Sequence, residues 1–199
     1  AVLAAYQINV GPDINYPANG WGAGPWGTGT WGFGGATQFQ ARIWNQSNFG
    51  EDLIYGPRYA GLYYWTASDG VTARGVALNT MPGASDVPLE QLSLVVSDSS
   101  RFVIAFGCND YGSSTLNPML IRWSDQEDPA SWTPTATNQA GDLRLSHGST
   151  IVSNLQVRQE ILVWTDSSLY SLQYLGPPYV WGSQLMGDNL SIVSQNATA

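Results

Sequence analysis

Glu160-Ile161-Leu162-Val163-Trp164, then Thr165-Asp166-Ser167-Ser168, then Leu169-Tyr170-Ser171-Leu172 is the stretch that decides the fold. Two short runs of aliphatic, β-branched and aromatic residues flank four residues that favour turns, which is the pattern of a β-hairpin. The layout occurs twice more upstream. Glu51-Asp52-Leu53-Ile54-Tyr55, a Gly-Pro turn and Gly61-Leu62-Tyr63-Tyr64-Trp65 give one copy, and Arg101 to Phe106 followed by Met119 to Trp123 gives another with a longer loop. The spacing of roughly 50 to 60 residues is near the upper range of propeller blades once loop insertions are allowed.

Outward from these hairpins the same texture continues. Gln40–Trp44, Leu92–Val96, Ile151–Leu155 and Leu169–Tyr174 are short, apolar or aromatic, and bounded by Gly, Pro, Asn, Asp or Ser. Several are apolar throughout rather than alternating, so their sheets should be covered on both faces. The expectation is an all-β protein, a propeller-like assembly of antiparallel hairpins, with a β-sandwich carrying long loops as the competing architecture. At this spacing the chain supplies about three blades, and closure usually takes at least four.

Composition agrees. The 199 residues are 43% hydrophobic and 11% charged, with 22 Gly, 9 Trp and 10 Tyr. Few charges and many aromatics exclude a disordered polar chain, and no apolar run has the length of a membrane-spanning helix. The net charge is -8 and all 7 basic residues are Arg, which argues against a nucleic-acid-binding surface. One cysteine, Cys108, allows neither an internal disulfide nor a thiolate metal cage.

The chain reads as two parts, residues 1–36 and 37–199. The first opens on a strand-like pattern from Val2 to Val10 and continues into a Gly/Trp-rich arm. Its core repeats every five residues: Trp21-Gly22-Ala23-Gly24-Pro25, Trp26-Gly27-Thr28-Gly29-Thr30, Trp31-Gly32-Phe33-Gly34-Gly35. An odd period sends successive Trp side chains to opposite faces of a strand, so a regular strand is not expected. Three readings stay open: an aromatic loop closing the β core, a contact between subunits through Trp21, Trp26, Trp31 and Phe33, or a platform on which sugar rings stack. The first residues carry a strand pattern at once and the last, Ser194–Ala199, carry no capping element. The 37–199 domain is therefore expected to be an incomplete piece of a longer polypeptide.

Ser124-Asp125-Gln126-Glu127-Asp128-Pro129-Ala130-Ser131-Trp132 is the sharpest local motif. Asp side chains accept nearby backbone N–H groups and so fix turns, after which Trp132 re-enters the core. Ser124, Asp125, Asp128 and Trp132 are its structural residues, and the segment is similar to the Asp-box turns of sialidase-like propellers. Calcium binding is the alternative, but the alternation and turn glycine of an EF-hand loop are missing. His147, the single histidine, lies in a polar loop; there is no Gly-x-Ser-x-Gly elbow, zinc spacing or phosphate-binding glycine fingerprint. No catalytic, cofactor or metal site is expected, and the chain is not expected to be an enzyme.

Trp21-Gly22-Ala23-Gly24-Pro25-Trp26-Gly27, Asn48-Phe49-Gly50-Glu51-Asp52-Leu53-Ile54 and Leu120-Ile121-Arg122-Trp123-Ser124-Asp125 resemble virion structural proteins of tailed double-stranded DNA phages. So do Ala140-Gly141-Asp142-Leu143-Arg144-Leu145 and Arg158-Gln159-Glu160-Ile161-Leu162-Val163-Trp164-Thr165-Asp166, with Gly176-Pro177-Pro178 beyond. The family looks like the β-propeller nozzle or hub proteins below the portal and adaptor of short tails. The resemblance implies a structural subunit of the phage tail, located in the virion. It implies a six-fold homo-oligomeric ring that contacts adaptor, portal and other tail proteins and continues the DNA ejection channel. DNA would pass without specific binding, and the family implies further strands beyond Ala199. An acidic wall without Lys fits that passage, because basic side chains would hold phosphates by counterion release; the same acidity also serves solubility. The alternative function is a glycan-binding or glycan-cleaving propeller module of a receptor-binding tail protein.

Overall fold

The computed structural model describes residues 43–198. Contacts divide the chain between Ile43 and Trp44. The unit from Trp44 onward is all-β: three separate antiparallel sheets of four strands each, none of them closed.

Sheet 1 contains β1 (Trp44–Phe49), β2 (Asp52–Pro57), β3 (Tyr63–Trp65) and β4 (Val76–Ala77). Sheet 2 contains β5 (Gln91–Val96), β6 (Val103–Asn109), β7 (Leu116–Trp123) and β8 (Gly141–Arg144). Sheet 3 contains β9 (Ile151–Gln156), β10 (Glu160–Thr165), β11 (Ser168–Gly176) and β12 (Val180–Asp188). In every sheet, strands adjacent in sequence pair with each other. The helical content among the described residues is two single 3-10 turns, Ala67–Asp69 and Leu78–Thr80.

The three hairpins read from the sequence are the central strand pairs of the three sheets. Ile54 pairs with Tyr64, Phe106 with Ile121, and Ile161 with Leu172. One expected strand needs correction: Ile43 is outside any strand, and β1 begins at Trp44, where the run Gln40–Trp44 was expected to end. Residues 40–42 lie outside the described residues. The sequence of β1 is polar, Trp-Asn-Gln-Ser-Asn-Phe, which an apolar criterion passes over.

Sheet 2 lies between the other two. Ile54 of sheet 1 and Leu94, Val96, Val103, Ala105 and Leu120 of sheet 2 build one buried cluster. Ile104, Phe106 and Ile121 of sheet 2 build a second with Ile161, Val163, Tyr170 and Leu172 of sheet 3. That is why β6 is buried at all seven positions and has no polar alternation: each face meets a different neighbour. Cys108 lies inside β6. At Gly107 the register of β6 with β7 slips, and φ is +56°. A Cβ there would come within 2.5 Å of Leu92 Cδ1, so the bulge needs glycine both for its backbone and for its space. The sheets also meet through their first strands, β5 lying against both β1 and β9.

Candidate functional site

Where β1, β5 and β9 approach one another, a pocket of about 280 Å³ opens. Asn45 and Gln46 line it from β1, Leu94 and Val95 from β5, and Asn154, Leu155 and Gln156 from β9. Gln195, Asn196 and Thr198 of the C-terminal segment complete the wall. Seven of these ten side chains are uncharged and polar, and none is titratable.

The polar run of β1 has a physical reason. β5 is an edge strand of sheet 2, and its free backbone groups need partners once they are covered. Ser47 Oγ accepts the Val96 N–H at 3.0 Å, and the Tyr59 N–H donates to Gln91 O at 2.7 Å. Asn45 Nδ2 and Arg58 Nη1 both approach Leu92 O at 3.5 Å. Sheet 1 therefore satisfies the β5 edge mainly with side chains and loop backbone.

Gln195 ties the pocket together. Its side chain is 8% exposed; Nε2 donates to Asn45 Oδ1, and Oε1 accepts from Arg58 Nη1 at 2.8 Å. Its backbone carbonyl accepts from Ser153 Oγ at 2.6 Å. One residue thus joins the first and third sheets. Asn154 Nδ2, also in the pocket wall, is buried without a hydrogen-bond partner among the described residues, an open donor at this site. The arrangement offers neutral donors and acceptors and no acid, base or nucleophile.

The Asp-rich turn spends its side chains on backbone. Asp125 accepts the N–H groups of Gln126 and Gln139, both at 2.8 Å, and Asp128 accepts that of Ala130 at 3.0 Å. Ser124 Oγ accepts the Val103 N–H at 3.1 Å. Trp132 is fully buried and its Nε1 donates to Pro129 O at 2.7 Å. Among the described residues no three His, Cys, Asp or Glu side chains gather as a metal site. Trp21, Trp26, Trp31 and Phe33 lie outside the described residues.

His147 sits in the loop between β8 and β9, half exposed, with Nδ1 3.5 Å from Asp188 Oδ1. Ser168 Oγ donates to that same oxygen at 3.0 Å. Serine and histidine therefore share a carboxylate instead of bonding to each other, the reverse of a nucleophile–base pair. Burial pushes the Cys108 thiol up to about 12, away from thiolate chemistry.

Sequence reasoning missed Arg122, which is fully buried within β7. Nη1 donates to Asn109 O at 3.0 Å and Nη2 to Asp86 O at 2.6 Å. The guanidinium lies 4.0 Å from the Tyr111 ring centroid, so it ties the end of β6, at Asn109, to the two loops that carry Asp86 and Tyr111. Burial, followed by the Asp142 charge, pushes the Tyr111 hydroxyl up. An arginine inside the apolar run Leu120-Ile121-Arg122-Trp123 was the available signal. Asn45, Arg58 and Gln195 had no such signal, being joined only by the fold.

No helix among the described residues is long and apolar enough to cross a membrane. Compared with known proteins, the chain matches no family model and no curated sequence.

Proposed function

We propose that this chain is a non-enzymatic structural subunit of a phage tail, a nozzle or hub component whose ring continues the DNA ejection channel below portal and adaptor. In this reading the three sheets are blades of a propeller, with β1, β5 and β9 as the strands nearest its axis. One observation carries the reading: each four-stranded meander begins with the strand that lies next to the first strand of another sheet. Chain order and radial order then coincide, as they do in a bladed ring.

Three further features support it. The pocket between the first strands is amide-lined and uncharged, the chain carries net charge -8, and the two most buried arginines among the described residues are engaged within the protein. Arg122 clamps carbonyls and Arg58 bonds Gln195, so neither is presented to a phosphate backbone. Trp21, Trp26, Trp31 and Phe33 supply the aromatic composition that interface cores favour, and we place them between copies of the ring.

Electron cryomicroscopy of the virion tests this reading. The expected result is the chain repeated around the tail lumen, between the adaptor and the tail tip. Density for it in a peripheral receptor-binding appendage would overturn the proposal. Binding on a glycan array that is lost in Trp26→Ala, with assembly intact, would replace it with the glycan-recognition reading.

A further inference from the structure

We propose that the end of the β11–β12 hairpin is a membrane-docking tip, which enters the headgroup layer of a neutral lipid surface with Leu175, Pro177, Pro178 and Tyr179 foremost. β10 pairs with β11 from Leu169 to Gln173, whereas β11 and β12 stay paired as far as Gly176 and Val180. The hairpin therefore runs on past the end of β10 and closes in the turn 177–179.

Leu175 is 59% and Tyr179 76% exposed, and both prolines are exposed. An exposed Leu or Tyr alone would carry no meaning. This tip, however, stands on a fixed base. Tyr174 and Trp181 pair across the hairpin with their rings 5.4 Å apart, and both pack on the buried Phe102 ring at 5.7 and 5.9 Å. The Tyr174 hydroxyl donates to Gln139 Oε1 at 3.4 Å, and Val180 belongs to the buried cluster between sheets 2 and 3. Leu175 lies across Gly182, where a Cβ would come within 2.6 Å of its Cδ1. The apolar end is held out in one arrangement, so little order has to be gained on docking.

Charge, backbone, layering and area select lipid as the occupant. From Ser167 to Gly187 the chain has no charged residue, although its net charge is -8; ionised groups are what an apolar membrane layer excludes. Backbone N–H groups that leave water for lipid need partners within the chain. Gly176 and Val180 are paired in register, and Pro177 and Pro178 have no N–H, so the turn carries a single backbone donor, that of Tyr179. A protein partner could pair such donors and would not call for their removal.

Along the hairpin the apolar apex is followed by the Tyr174 and Trp181 pair, and then by Gln173, which is bonded to Glu160. Aromatic side chains of this kind collect at headgroup level. At about 3.3 Å per residue, the apex stands on the order of 10 Å above Gln173, close to the depth of roughly 5–10 Å that interfacial elements reach. With aromatic side chains of roughly 150–250 Å², the tip offers on the order of 400 Å² or less, against about 800 Å² per partner in a specific protein interface. Lipid binding has no such threshold, because it scales with the apolar area inserted. The surface is neutral because anionic lipid repels an acidic chain. The inference concerns this tip wherever the chain sits in a virion, so it and the proposed function fail separately.

The test is flotation of the full 199-residue chain with phosphatidylcholine vesicles at millimolar lipid, beside Leu175→Ser/Tyr179→Ser and Tyr179→Trp, with circular dichroism as a control for folding. The parent should float with the vesicles and Tyr179→Trp at least as well. The double-serine variant should lose roughly tenfold or more in partitioning, with unchanged strand signal, since both positions are exposed. A polarity-sensitive dye on Tyr179→Cys, selective because Cys108 is buried, should shift to the blue on vesicles. A parent chain that stays out of the lipid, a double-serine variant that floats equally well, or a dye whose emission does not move overturns the proposal. Self-association in lipid-free buffer that the double substitution abolishes would give the tip to a second copy, and overturns it as well.

Discussion

Replacing Arg122 with methionine decides what the buried guanidinium does. Methionine keeps the stem length and removes the charge, so two opposing effects separate. Asn109 O and Asp86 O lose donors at 3.0 and 2.6 Å, and an orphaned buried carbonyl costs about 1–3 kcal/mol. The lost stacking on Tyr111, at 4.0 Å, adds about 1–2 kcal/mol. Against this, a desolvated charge disappears, together with Nε, which has no partner among the described residues, and that relief amounts to several kcal/mol. The carbonyls should win, because both would stay covered by the loops that Arg122 now holds. The expected net loss is about 2–4 kcal/mol, read as the shift in urea midpoint at unchanged slope. Asp86→Asn, whose side-chain oxygen can still accept the Gly112 N–H at 3.0 Å and which tolerates the φ of +47° there, should cost less than about 1 kcal/mol, since the carboxylate is 3.4 Å away and its side chain is 29% exposed. A methionine variant as stable as the parent would show that desolvation dominates. Asp86→Asn costing as much as Arg122→Met would show that the ion pair dominates; either result refutes the reasoning.

Three other perturbations test separate parts of the structure. Trp132→Ala should lose about 3–5 kcal/mol as a large-to-small change at a fully buried site, and Asp125→Ala about 1–2 kcal/mol because two N–H groups lose their acceptor; equal losses in urea melts would sink the division between core and turn. Cys108 should react with a thiol reagent only at the rate of unfolding, its thiol being buried and raised to about 12, and fast labelling of the native chain would contradict this. Asp52 is held below its ordinary value by the Tyr64 hydroxyl and then the Ala67 N–H, and Asp166 by Ser149. A depressed folded pKa adds stability above the unfolded value of 3.8 that is lost as pH falls through the folded value. The advantage of the parent over Asp52→Asn/Asp166→Asn should therefore stay constant from about pH 7 to about pH 5 and shrink below about pH 4. An advantage that already shrinks above about pH 5 would refute it.

The sequence revealed the middle of each sheet and hid the margins, for a physical reason. β6 and the second half of β7 are covered by neighbours, and β10 turns Ile161 and Val163 toward sheet 2, so these strands are written in apolar residues that stand out, as in Val103-Ile104-Ala105-Phe106. The outermost strands are less covered: β4 is two residues long, β8 four, and most of β12 from Ser183 to Asp188 is exposed. They carry too few apolar residues to register as strands. The Asp125 turn was readable because its bonds are mostly local, whereas Gln195 and Asn45 are 150 positions apart in sequence and nothing local marks either one.

β1 is the instructive failure. A first strand written as apolar residues would have offered β5 a neighbour of its own kind, and two such edges pair readily into one continuous sheet. With Asn45 and Ser47 at the interface, side chains meet backbone groups of β5 at Leu92 and Val96. Arg58 and the Tyr59 N–H reach the same edge. The edge is satisfied and its capacity for pairing is used up, so sheets 1 and 2 stay separate and stack face to face. The same polar residues leave amides around the pocket at the first strands. The neutrality of that site and the separation of the sheets thus have one cause, and exchanging Asn45 and Ser47 for β-branched apolar residues should disturb both together.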